Sequence, residues 1–388
     1  MEGQKYDLVI AGGGLAGLSL GLRLAAPEFA HLRIAILDKD KKDKNDRTWS
    51  FWTDNKNDRF APIYRKTWSK LAFYAPGLER IEEPNPYHYA SLRGIDFYKY
   101  ALDLIDTAGH IEFVQTEVES IIEVDEYVEV LTSNGRIVGN FVFDSIVRKM
   151  PVDDHLFLWQ HFLGWEIELT NGSFDDSMAT FMDFRIDQVD GPTFVYVLPF
   201  TKTTALVEVT LFTKRLLEVD EYEEMLKEYL DQFLDEPYEV KEKELGKIPM
   251  TTAPFGQSSK RIIAIGTNNA TVKASTGYAF TRIQRECDEL VERIRRNKLS
   301  HVKGKKKFTW YDKTLLNVIT TGKEDGRKVF TMMFEKNKIV NILKFLDDRT
   351  SVIEEIRIFR TLPFLSFLRG FLVENVFSLA KRKTVSNS

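Results

Sequence analysis

With 388 residues, 43% of them hydrophobic, the chain is long enough for about two domains with substantial cores, and its composition excludes a disordered or fibrous protein. A net charge of −4 argues against a nucleic-acid partner, which calls for a basic face. The single cysteine, Cys287, cannot form an internal disulfide, so a reducing, cytoplasmic compartment is expected, with the thiol packed beside Ile283, Leu290, Val291 and Ile294 on one helical face.

No signal peptide is expected ahead of the first strand, which begins by Tyr6. Tyr6 to Ala11 is a short apolar run that stops at three glycines, and a helical pattern starts at once. Gly12, Gly14 and Gly17 form the G-x-G-x-x-G fingerprint in the strand–turn–helix setting it requires, with Gly13, Leu15 and Ala16 between them. Gly12 makes the tight turn, Gly14 lets the backbone approach a pyrophosphate, and Gly17 lets the helix pack on the strand. The free N–H groups at the helix start favour the phosphates. His31 to Asp40 supplies the second strand, and Asp38, 26 residues after Gly12, is placed to hold a ribose hydroxyl, with Lys39 beside it.

After a charged, turn-rich segment come Trp49, Phe51 and Trp52, which could form a core cluster or line a pocket. Residues 53 to 95 read as short strands and loops, Asp96 to Asp106 as a helix, and Ile111 to Val124 as extended chain. Ser133-Asn134-Gly135 separates two β-rich runs, a hairpin signal, and a buried strand follows at 141 to 147. Strands at Trp165–Leu169, Ala179–Arg185, Thr193–Phe200 and Thr204–Phe212 suggest an antiparallel sheet, and Glu221 to Leu234 a helix. Arg261 to Gly266 is a second short strand ending in glycine, followed by Thr276 and Gly277. Such an element far downstream of a dinucleotide fingerprint favours FAD over NAD as the tightly held ligand. The six histidines are scattered, so no metal site is expected.

From Lys298 the chain turns basic and then helical. Residues 363 to 383 set an apolar face beside Lys381, Arg382 and Lys383, a pattern that suits a helix lying in a membrane interface or packing on the body. No run of about 18 uninterrupted apolar residues suggests a spanning helix.

Glu208 is the acid in an otherwise apolar strand, T-A-L-V-E-V-T-L-F. Buried among apolar groups, its charged form is disfavoured, and a carboxyl kept protonated near neutral pH can act as a general acid. A strand glutamate facing solvent or an arginine is the alternative.

Taken together, Gly12–Gly17, Arg47–Trp52, Gln160–Trp165, Tyr196–Phe200, Ala205–Glu208, Ile248–Thr251, Lys273–Tyr278 and Phe345–Ser351 resemble the flavin-dependent, bacterial type of lycopene β-cyclase, in order and over nearly the whole chain. The resemblance implies an α/β fold with α+β elements. Its FAD-binding Rossmann-like domain would be of the flavin hydroxylase and geranylgeranyl reductase type (residues 1–52, 96–150 and 251–298), with a β-sheet substrate domain (53–95 and 151–250) and a helical C-terminal region (299–388). It implies non-redox closure of the ends of lycopene, or other linear carotenoids, into β-ionone rings, with Glu208 as the acid and reduced FAD beside the cation. NAD(P)H would be the reductant, Gly266, Thr276 and Gly277 would lie on the flavin side, and Trp49, Phe51 and Trp52 would stabilise the cation. A peripheral-membrane location follows from such a substrate. The alternatives are an FAD-dependent isoprenoid hydroxylase or reductase, and a carotenoid-binding flavoprotein without chemistry. The chain departs from the family pattern at Asn268-Asn269, at Ala274 and at Val209, where a second carboxylate is common.

Overall fold

The opening apolar run is strand Gln4–Ala11, the centre of a seven-stranded sheet in this computed structural model, which describes residues 4–377 except 56, 57, 254, 257 and 301. Ile34–Asp38 and then Ile111–Gln115 extend the sheet on one side in parallel register. On the other side lies Gly135–Asp144, paired with the first strand along its length, from Gln4↔Ile137 to Ala11↔Asp144. This ten-residue strand has two uses. Its first half forms the expected hairpin with Tyr127–Thr132, turning at Gly135 (φ +112°), and its second half pairs with the downstream strand Ile262–Ala264. The chain thus returns to the first sheet after more than a hundred residues spent elsewhere. The extended stretch expected at 111 to 124 divides into Ile111–Gln115 and Val118–Val124, which lie at opposite edges of the sheet.

A second sheet runs in the order Tyr238–Met250, Leu158–Leu169, Thr204–Thr213, Thr193–Pro199, Met178–Asp183, Lys70–Ala75 and Leu78–Glu82. Neighbours are antiparallel except Met178–Asp183 beside Lys70–Ala75. The strand Tyr238–Met250 is absent from the sequence reading: its Lys/Glu-rich first half looks like a solvated loop. It is the edge of the sheet, where alternate side chains meet water, and edge charges also prevent pairing with other chains. Helix Val219–Phe233 covers one face of the sheet with Tyr222, Leu226, Tyr229 and Leu230.

The C-terminal helices pack against other aromatic and aliphatic residues of the sheet. Phe73 stacks on Phe334 at 4.1 Å and Phe184 lies against Phe330 at 5.6 Å. Much of the chain's phenylalanine is therefore core, each ring contributing roughly 1.5–3 kcal/mol by burial. Three short strands, Thr48–Thr53, His88–Arg93 and Lys66–Trp68, form a third sheet that carries the tryptophan segment. Among the described residues no helix is long and apolar enough to cross a membrane.

Candidate active site

The fingerprint glycines are sterically distinct. Gly12 has φ +98°, and a Cβ there would lie 2.2 Å from Ser145 Oγ. A Cβ on Gly17 would lie 1.9 Å from the Gly12 carbonyl oxygen. At Gly14 a Cβ would meet nothing within 4 Å, which leaves open space where a ligand's backbone approach is expected. Helix Leu15–Leu24 starts there with no side-chain cap and no acid in its first turn, so its leading N–H groups are available to an anion. Gly13 N–H donates to Asp38 Oδ2 at 2.6 Å. The cation that reaches Asp38 is Lys42, with Nζ 3.0 Å away; Lys39 is exposed, and its carbonyl accepts from Gln115.

The downstream glycine meets the same helix. Gly266 has φ +60°, and a Cβ there would lie 2.6 Å from that of Ala16. The loop after it is tied down by Glu286, whose carboxylate accepts from Gly266 N–H (2.7 Å), Asn269 Nδ2 (2.6 Å) and Thr271 Oγ1 (2.7 Å). Asn268 Nδ2 donates to the Asp144 carbonyl at 3.1 Å. The departure at Asn268-Asn269 thus gives the loop two side-chain anchors. Buried Lys273 then bonds to Asp312 and Asp348, both at 2.9 Å, and holds the loop to the C-terminal helices. Gly277 (φ +71°) is pressed onto Gln160, and a Cβ would lie 2.0 Å from Gln160 Oε1. Among the described residues, buried Thr276 Oγ1 and Gln160 Oε1 find no hydrogen-bond partner. Unpaired buried polar atoms are costly, so they are expected to be satisfied by a bound molecule.

A cavity of about 490 Å³ brings these parts together. It is lined by Gly14, Leu15 and Ala16, by Thr276 and Gly277, by Trp49, and by Glu208. Gly12, Gly13, Gly17, Asp38 and Gly266 stand behind this lining as supports. Phe51 and Trp52 are not among its lining residues, which alters their expected place. Phe51 is stacked on Phe280 at 4.0 Å in the core beneath the fingerprint helix. Trp52 packs edge-on against Tyr278, 4.6 Å between centroids, so it supports a lining residue from behind. The reason is the pleat: Trp49 and Phe51 share a face, but Phe51 lies further along the strand, where Phe280 fills the space.

Glu208 opens into the cavity from the middle of strand Thr204–Thr213. Its carboxyl is pushed up to about 8, first by burial and then by the nearby carboxyl of Glu244, while a hydrogen bond from Thr210 Oγ1 at 3.1 Å opposes the shift. Tyr196, opposite Glu208 on the next strand, has its hydroxyl 3.2 Å from that of Tyr278, which also bonds to Tyr89. Burial raises all three phenols, so they stay neutral. The Gln160–Trp165 motif has a face toward the cavity and a face away. Gln160 and Phe162 line the cavity, whereas His161 points to the far side, its Nε2 2.7 Å from Thr213 Oγ1 and its Nδ1 on Tyr222. Burial lowers that imidazole to about 4, so His161 is a neutral core residue. Cys287 is also buried, its thiol against the Ala16 carbonyl, and desolvation raises its pKa. Among the described residues no group of acids, histidines and cysteine could hold a metal.

Glu244, Lys42 and Tyr89 are site residues that sequence reasoning missed. The signal for Glu244 was alternation: counted in twos from Met250, it shares a face with Gly246 and Ile248, which follow it in the strand. A neutral carboxyl in a cavity ringed by aromatic side chains can give a proton to an uncharged, weakly basic group and tolerate the resulting cation.

The chain matches the family described as "Lycopene cyclase protein" over residues 7–371. It is 28% identical over 215 residues to a lycopene beta-cyclase of Paracoccus sp. (strain N81106 / MBIC 01143), covering 54% of this chain and 52% of that protein, so the match spans about half the length of the curated relative. Among solved structures, it is similar in fold to a geranylgeranyl bacteriochlorophyll reductase-like protein from Thermoplasma acidophilum, with a TM-score of 0.59, 14% identity, and 98% of each chain covered. It is also similar to a halogenase in complex with phloroglucinol and FAD, with a TM-score of 0.54, 15% identity, and 88% and 79% covered. These likenesses establish the α/β fold that the chain shares with those proteins.

Proposed function

The chain belongs to the lycopene cyclase family, and from that premise we propose that it is a lycopene β-cyclase, an isomerase that closes the ψ-ends of lycopene into β-ionone rings and yields β-carotene by way of γ-carotene. The observation that carries the reading is Glu208: a carboxyl raised to about 8 opens into the same cavity as the dinucleotide glycines. In this reading Glu208 gives its proton to a terminal alkene carbon. The neighbouring double bond attacks the cation, and loss of a ring proton leaves the β-ring. Tyr196, Tyr278 and Trp49 offer ring faces to the positive charge, with Trp52 held behind Tyr278. The aromatic and aliphatic part of the wall near Glu208, formed by Tyr89, Tyr196, Leu198, Leu206 and Tyr278, limits capture of the cation by water.

FAD fits the residues present. Gly14 and the uncapped helix start would take its pyrophosphate, Asp38 its ribose, and Thr276 and Gln160 its flavin side, where their polar atoms lack partners among the described residues. Held in its reduced form, with NAD(P)H as reductant, FAD would supply negative charge beside the cation and no net electrons. Residues 1–52, 96–150 and 251–298 are read as its domain and 53–95 with 151–250 as the substrate domain, supported by the strands the two seven-stranded sheets draw on, while the third sheet joins Thr48–Thr53 of the one to His88–Arg93 and Lys66–Trp68 of the other.

Contact with a membrane surface on the cytoplasmic side is the remaining part of the proposal. Helices Val352–Phe359 and Phe364–Phe371 expose Ile353 (66%), Phe364 (66%) and Leu365 (79%), an arrangement that suits delivery of a water-insoluble carotenoid. Residues 378–383 of the expected contact segment lie outside the described residues.

Expression in lycopene-accumulating cells, with pigments separated by chromatography and weighed by mass spectrometry, tests the function. A cyclic product of unchanged mass supports it. A gain of oxygen or hydrogen would make the protein an isoprenoid hydroxylase or reductase, and unaltered lycopene bound to the protein a carotenoid-binding flavoprotein.

A further inference from the structure

In the second sheet Gly164 pairs with Glu208 on one side and with Glu244 on the other. Directly opposed residues of antiparallel strands point to the same face. The two glutamates therefore stand in one row, about 10 Å apart at their backbones, with Gly164 between them. A Cβ at Gly164 would lie 3.4 Å from that of Glu208 and 2.9 Å from Leu206 Cδ1, so the glycine gives the Glu208 and Leu206 side chains room to pack over this strand. Val209, next to Glu208, faces the opposite way, into the core under helix Val219–Phe233. A second acid for this cavity cannot come from that position.

Glu244 is held in place by the Thr48 backbone N–H, which donates to its Oε1 at 2.9 Å. It lines the cavity that contains Glu208, and it also lines a second cavity of about 270 Å³ with Arg65, Glu166 and Lys243. Glu244 thus lines both cavities, the smaller of which carries Arg65, Glu166, Glu242 and Lys243.

We propose that Glu244 is the partner acid of Glu208: the two carboxyls hold one proton between them across Gly164, and Glu244 connects that proton to the charged cavity. The inference rests on the reading of Glu208 as the acid. When Glu208 gives its proton to the alkene carbon it becomes a carboxylate. The proton lost from the ring, or one from water entering by way of Glu244, restores the pair, and no electrons are exchanged. Two carboxylates in a desolvated site resist ionising together, so the charge of one keeps the other protonated. The field of Glu244 on Glu208 acts in that direction, second to burial. Burial raises Glu244 as well, opposed by Thr48 and the Arg47 charge, with the Asp46 charge adding to the rise.

The other ionisable groups leave this pairing intact. Tyr89, Tyr196 and Tyr278 around Glu208 are neutral. On the side of Glu244, Arg47 is bonded to Asp46, Arg65 to Glu166, and Lys243 to Glu223; Glu242 lines the charged cavity. Lys247 lies over the Trp159 ring.

The test uses the FAD-loaded protein, with cyclisation rates measured from about pH 6 to about pH 10 and flavin content checked at each step. In Glu244→Gln the alkaline limb should move about one unit toward acid, which lowers the rate at pH 9 about tenfold and the rate at pH 6 far less. Glu244→Asp should restore most of the limb. An unmoved limb in Glu244→Gln with flavin retained overturns the proposal. Infrared titration of the unmodified protein gives a reading independent of any folding defect in the variant. The protonated-carboxyl signal removed by Glu208→Gln should titrate in two separated steps, and a single step overturns the pairing. Survival of cyclisation in Glu208→Gln would instead refute the underlying assignment of the acid.

Discussion

The most exposed consequence of the site is the state of one proton. A carboxyl at the ordinary value of 4.5 is about 0.3% protonated at pH 7, whereas one at about 8 is about 90% protonated. Burial of Glu208, helped by the nearby Glu244 carboxyl, therefore raises the amount of competent acid roughly 300-fold at neutral pH. Replacing Glu208 with Gln keeps the shape and removes the proton. General acids contribute about 10²–10⁴-fold, so the cyclisation rate should fall by at least that factor while FAD content is unchanged. The unaltered protein should hold its rate up to about pH 7 and then lose it through a limb near 8, about tenfold per unit above that. The assay is the initial rate of cyclic carotenoid formation from lycopene in vesicles, read by chromatography. A rate that stays level to pH 10, or rises with pH, would refute the reasoning, because no protonated Glu208 remains there to start the reaction.

The same shift has a stability consequence whose sign is fixed. The folded value lies above the unfolded one, so the folded state binds more protons between about pH 4.5 and about pH 8, and stability falls as pH rises through that window. Urea denaturation should find Glu208→Gln gaining on the unmodified protein from pH 5 to pH 9. The gain should be roughly 2–4 kcal/mol, less than the full value of the shift because the carboxyl faces the cavity. The fingerprint glycines should separate binding from folding. Gly14→Ala meets open space and should change stability by less than about 0.5 kcal/mol while FAD retention drops, whereas Gly17→Ala, aimed at the Gly12 carbonyl, should lower both. Equal flavin content in Gly14→Ala and the unmodified protein would remove the pyrophosphate from that spot. Aspartate at Ile353, Phe364 and Leu365 together should cut flotation with anionic vesicles severalfold and leave thermal unfolding nearly unchanged, since all three side chains are largely exposed. Unaltered flotation would move the membrane contact elsewhere.

The parts of the molecule legible in the sequence are those where a local rule and the fold agree. The positive φ of Gly12 and the approach of Gly17 to the Gly12 carbonyl are requirements contained within a few residues of chain, and Glu208 stands out because an acid interrupts an apolar strand. What was hidden depends on register between distant segments. The strand Tyr238–Met250 reads as a charged loop because its first half is a sheet edge, and only its pairing with Leu158–Leu169 shows that Glu244 and Glu208 flank one glycine. The cluster of Trp49, Phe51 and Trp52 was visible, but its division between cavity and core was not. That division is decided by Phe280 and Tyr278, more than two hundred residues away.

The register also gives physical content to a departure in the sequence. A carboxylate at position 209 would point into the core beneath helix Val219–Phe233, where it would be desolvated without reaching the cavity. Valine there costs the site nothing, because strand alternation already sends that position away from Glu208. The second acid of this cavity arrives from the next strand but one, across Leu158–Leu169, and it faces the same way as Glu208 because both pair with Gly164. Gly164 belongs to the Gln160–Trp165 motif, whose Gln160 and Phe162 line the cavity and whose His161 fixes the opposite face to helix Val219–Phe233. One short stretch thereby supports the loop that carries Gly277, spaces the two acids and sets the packing of the sheet.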